Sequence, residues 1–116
     1  MIEETIKSSL NTLGYAAYPN KKVQDAALPC VVYKRISRIP NRTQNATDTL
    51  RKSRFQFDVL ASTYSEMKIM SEAIITAFDA TKTYFTEGSF LLNDFDVVDE
   101  VFYRHVIEFF IFYKGS

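Results

Sequence analysis

The sequence has one cysteine, one histidine, three glycines, three prolines and no tryptophan among its 116 residues. Each shortage removes a class of chemistry. A single Cys30 closes no intrachain disulfide. It sits in the apolar run LPCVVY, where a free thiol packs like a small hydrophobe. His105 has no second histidine, and a zinc site wants about four ligands at characteristic spacings. A Cys30–His105 pair has no flanking motif that marks a nucleophile and its base. Gly14, Gly88 and Gly115 are too scattered to build a phosphate-cradling loop. No run approaches the about 20 apolar residues of a membrane helix. The opening MIEETIKSSL is acidic and amphipathic and lacks the apolar centre of a signal peptide. These features lead us to expect a cytoplasmic product with no cofactor, no metal and no enzymatic activity.

Charge of either sign in excess is also missing: fourteen basic residues balance fourteen acidic ones. Zero net charge gives no overall pull toward nucleic acid or membrane, and it lowers the electrostatic barrier to self-association. The hydrophobic share of 47% is enough for one core, and the length suits one domain.

Ile2, Ile6, Leu10 and Leu13 recur at helical spacing, with Gly14 placed to supply a left-handed C-terminal cap. The spacing predicts a helix over Ile2 to Leu13. YAAYPNKKVQDAALP then reads as a loop or a short extended piece. CVVYKRISRI is β-branched and aromatic and reads as a strand. RFQFDVLAS alternates, with Phe55, Phe57, Val59 and Ala61 on one face. Thr63 and Glu66 fit a capping box. They precede a helical stripe of Met67, Met70, Ile74 and Phe78. A turn at EGS leads to a strand near Phe90 to Val98. VFYRHVIEFFIFY is the last strand, with Tyr103, His105, Ile107, Phe109, Ile111 and Tyr113 on one side. The order α-β-β-α-β-β predicts a two-layer α+β sandwich. Its antiparallel sheet has about four strands, and both helices lie on one face.

Between the two central strands, residues 40–53 form a polar, basic insert, far longer than the two to five residues of a tight hairpin. Lys34, Arg35, Arg38, Arg42, Arg51, Lys52 and Arg54 are half of all the bases, and only Asp48 opposes them. From Glu87 to Glu100 there are five acids and no base, among them Asp94, Asp96, Asp99 and Glu100. NDFDVVDE lacks the glycine and terminal glutamate of a calcium loop. Two solvated faces would explain this split. So would complementarity: copies meeting head to tail, basic patch to acidic patch, through Arg38, Arg42, Arg51, Lys52, Arg54, Asp94, Asp96, Asp99 and Glu100.

The strings LPCVVYKRI, RFQFDVLASTYSEM, KIMSEAIITAFDA and FYRHVIEFFIFY follow one another in this order around the polar insert. In that order the chain resembles the tail-completion, or tail-terminator, proteins of long-tailed bacteriophages and prophages, over about Ile2 to Tyr113. The resemblance implies a structural virion protein. It implies a homo-oligomeric ring, usually of six copies, at the head-proximal end of the tail tube. Its partners would be the major tail tube protein and the head connector, with DNA passing through the ring. The insert would order against such a partner. The alternative is a small nucleic-acid-binding module. There Phe55 and Phe57, beside the basic insert, would stack bases.

Overall fold

The computed structural model describes residues 2–19, 28–39, 50–79, 85, 88–97 and 103–114, with the backbone alone at Arg38, Ile39, Leu50, Arg51 and Lys114. The elements are α1 (Ile2–Thr12), β1 (Ala17–Pro19), β2 (Cys30–Ile39), β3 (Leu50–Ala61), α2 (Tyr64–Phe78), β4 (Ser89–Val97) and β5 (Tyr103–Lys114). The protein is α+β, as the sequence pattern indicated, but among the described residues its sheet is mixed and has five strands in the order β1-β2-β3-β5-β4. The strand missing from the sequence reading is β1, which adds to β2 in parallel with Ala17 beside Val31. Three residues ending in a proline are too few to show the alternation by which strands are recognised.

The ends of α1 follow from its sequence. Glu3 and Glu4 occupy the first turn, where the helix dipole favours anions. At the other end Gly14 takes φ +94. The Tyr15 N–H donates to the Leu10 carbonyl at 3.0 Å and the Gly14 N–H to Asn11 at 2.9 Å. This is a Schellman cap, and Leu13 falls on the cap rather than inside the helix. At the start of α2 the Thr63 hydroxyl accepts from the Glu66 N–H at 3.1 Å, which is the hydroxyl arm of the expected box.

One core fills the space between sheet and helices. Ile2, Ile6 and Leu10 of α1 and Met67, Met70, Ile74 and Phe78 of α2 join one cluster with Val31, Phe55, Phe57, Val59, Phe109 and Ile111. Facing rings lock it. Phe57, Phe78 and Phe109 stand 5.8 to 6.1 Å apart by centroid, all tilted or edge-on.

The insert is shorter than its composition suggested. β3 begins at Leu50, so residues 50–53 belong to the sheet and only residues 40–49, with Arg42, lie outside the described residues. Ladder bonds come from the backbone whatever the side chain. Two of the three polar positions here also find partners: Lys52 lies over the rings of Phe110 and Phe112, and the Ser53 hydroxyl meets the Tyr113 hydroxyl at 2.8 Å.

Candidate functional site

Strand pairing gathers the bases at one end of the sheet. Arg38 stands opposite Ser53, Lys52 opposite Ile39, Arg51 opposite Tyr113 and Lys114 opposite Leu50. These strand ends carry four bases and no acid. The Lys52 ammonium sits 4.0 Å from the Phe110 ring centre, within cation–π range. Arg35, one step inward, is held by Glu3 at 3.3 Å and stacks 5.5 Å from the Phe55 ring centre. The Glu3 charge and, more strongly, burial push the Tyr33 phenol above its ordinary range; burial alone does the same at Tyr15.

Arg54 does not belong to this group. It donates to Glu108 at 2.5 Å, on the sheet face turned away from the helices. Beside it Arg104 bonds Asp58 at 2.6 Å, and the Gln56 amide reaches the other oxygen of Asp58. Asp58 and Glu108 are both buried, and a buried carboxylate is tolerated when a paired cation compensates it. The middle of this face is therefore electrically closed.

Asp94 and Asp96 lie at the far end. Their register partners are Ile107 and His105, so they stand on the helix side of the sheet. Val59, which pairs with His105, stands seven residues along β3 from Lys52, or about 23 Å of strand. His105 is only 4% exposed. Its Nδ1 meets Asp96 at 2.5 Å and its Nε2 meets Asp94 at 2.9 Å. Both ring nitrogens are thus committed to β4, and the histidine acts as a clasp on that strand. Asp99 and Glu100 lie outside the described residues.

This geometry separates the sequence candidates. Cys30 pairs with Leu60, and His105 with Val59. Neighbouring positions on β3 face opposite ways, so thiol and imidazole lie on opposite sides of the sheet. Among the described residues no group of three or more His, Cys, Asp or Glu is arranged to hold a metal ion. The carboxylates converge on the histidine ring and not on a common point. Phe55 and Phe57 are completely buried beneath the helices, so the stacking platform of the nucleic-acid alternative does not exist: a covered ring offers no face to a base. Among the described residues no helix is long and apolar enough to cross a membrane.

Of the nine residues expected to mediate assembly, Arg54, Asp94 and Asp96 already have partners within the chain, and Arg38, Arg51 and Lys52 sit together at the basic end. The clasp was missed in the sequence. Its signal was present: two aspartates at the two-residue spacing of one strand face, and a lone histidine in the next strand. A different surface had no signal. Phe90 (50% exposed), Leu92 (40%) and Phe95 (44%) crowd the edge strand β4. The sequence matches no protein-family model and no curated protein.

Proposed function

We propose that this protein is a structural subunit of a homo-oligomeric ring that completes the head-proximal end of a bacteriophage tail tube and joins it to the head connector. The observation that carries the reading is the charge axis of the sheet. The bases Arg38, Arg51, Lys52 and Lys114 gather at one end, and Asp94 and Asp96 lie about 17 and 23 Å from Lys52 along the strands. Copies set side by side around an axis parallel to the strands present a basic rim on one side of the ring and acidic groups toward the other. Unlike rims suit a part that must meet two different neighbours, and a basic rim suits a passage for DNA. Large apolar groups left exposed on β4 give the copies something to bury against one another.

The test is assembly in the presence of the partner. Sedimentation velocity on the purified chain, alone and with isolated tail tubes, should show a discrete closed oligomer, and labelled protein should appear by electron microscopy at one tube end only. Reversing Arg51 and Lys52 to Glu should weaken this assembly while the circular dichroism spectrum stays native. A chain that remains monomeric at high concentration, with tubes present, refutes the ring.

A further inference from the structure

Among the described residues the sheet has two open edges, and they match each other. β1 covers only Val31 to Tyr33 of β2, so from Lys34 to Ile39 no strand lies on the outer side of β2 among the described residues. At the opposite edge β4 has no outer neighbour among them either. One of its amides is capped, where Leu91 donates to Asp79 at 2.8 Å. Unpaired backbone donors and acceptors in a row are a template for another strand.

Three features match these edges to each other. The first is charge: the open part of β2 contains Lys34, Arg35 and Arg38 and no acid, while β4 contains Asp94 and Asp96 and no base. Two β2 edges repel, whereas the stretch of β4 level with these bases, Ser89 to Asn93, carries no charge to oppose them, and its acids begin one step further on at Asp94. The second is height. Following the ladder across the sheet, Lys34 is level with Asn93 by way of Gln56 and Glu108. Arg35 is level with Leu91 by way of Phe55 and Phe109, and Ser37 is level with Phe90 by way of Arg54 and Phe110. The third is shape. Each edge has one register shift, at Ile36 in β2 and at Leu92 in β4, within about one residue of each other along the strand axis by the same ladder. Ile36 is 41% exposed, close to the value for Leu92. A second copy placed alongside at the same height brings Ile36 against Phe90 and Leu92, and Lys34 beside Asn93.

We infer that copies of this chain join edge to edge, β2 of one adding to β4 of the next, so that a single sheet runs through the assembly. The inference rests on the ring reading and specifies its contact. β2 and β4 run in opposite directions within the chain. Rotation about an axis along the strands preserves direction, so the junction is antiparallel. It is also heterologous, since one surface meets a different one, and such contacts close into rings when the rotation divides a full turn.

The two edges can be disabled separately. Ile36→Lys places a charge in the apolar contact of the β2 edge, and Leu92→Lys does so at the β4 edge; both side chains lie outside the core. Sedimentation velocity should show each variant as a monomer at concentrations where the wild type assembles. Mixed in equal amounts, they should form one-to-one pairs and nothing larger, because one intact β2 edge then finds one intact β4 edge. On the wild type alone, backbone amides of residues 34–38 should gain at least tenfold hydrogen-exchange protection on assembly. If Ile36→Lys by itself still pairs, β4 meets β4. If Leu92→Lys by itself still pairs, β2 meets β2. Either result overturns the inference, as does an assembled wild type without that protection. A wild type that never assembles overturns the ring reading and this contact with it. A wild type that assembles, with both variants unaffected, removes the edge contact alone.

Discussion

Replacing Phe57 with leucine tests whether the aromatic face of β3 is core or ligand platform. Phe57, Phe78 and Phe109 have no exposed surface. Phe57 meets Phe78 at 6.0 Å and Phe109 at 5.8 Å between ring centres, at interplanar angles of 56° and 66°. Such pairs contribute about 0.5–1.5 kcal/mol each beyond the area they bury. Leucine keeps most of the apolar volume but loses both ring contacts and leaves a partly filled gap. The expected cost of Phe57→Leu is thus about 1–4 kcal/mol, a large share of the roughly 5–15 kcal/mol that stabilises a typical domain. The pairwise part is isolated by a cycle with Phe109→Leu, which should give a coupling of about 0.5–1.5 kcal/mol. Urea unfolding of the four proteins measures it, with an unchanged m-value as the sign that the transition stays two-state. The same variants should leave any affinity for single-stranded nucleic acid where it was. Additivity within about 0.3 kcal/mol would refute the packing argument. A loss of nucleic-acid binding at unchanged stability would refute the assignment of this face to the core.

Gly14→Ala should destabilise by about 1–2 kcal/mol through the backbone alone, since the residue holds φ +94 and an added Cβ meets nothing within 4 Å; a thermal midpoint equal to wild type would show that the cap relaxes freely. Stability should also fall in alkali. Tyr33 and Tyr15 hold their phenol protons more tightly in the folded state than the ordinary value of 10.0. Their contribution is therefore fully present below pH 10 and is lost as pH rises through the higher folded values. Urea midpoints at pH 8, 10 and 11 check the sign, and Tyr33→Phe should flatten the decline.

Much of this protein was settled by local pattern. The 3.6-residue recurrence of Ile2, Ile6 and Leu10, and of Met67, Met70, Ile74 and Phe78, marks the buried stripes of both helices. The alternation of Phe55, Phe57 and Val59 marks the covered face of β3. Gly14 and Thr63 mark helix ends because caps are made by nearby residues. Such features depend on neighbours a few positions away, so a sequence read along its length contains them. Tertiary pairing decided the rest. Whether Arg54 is an exposed charge or Glu108's partner depends on a residue 54 positions away. His105 becomes a clasp only because β4 is placed against β5 in one register. Ile36 and Leu92 stand at sheet edges because of strand order and the register shifts beside them. Burial of a stripe is determined by its own period. The choice of which strands stay open, and which charges they expose, belongs to contacts between residues far apart in the chain.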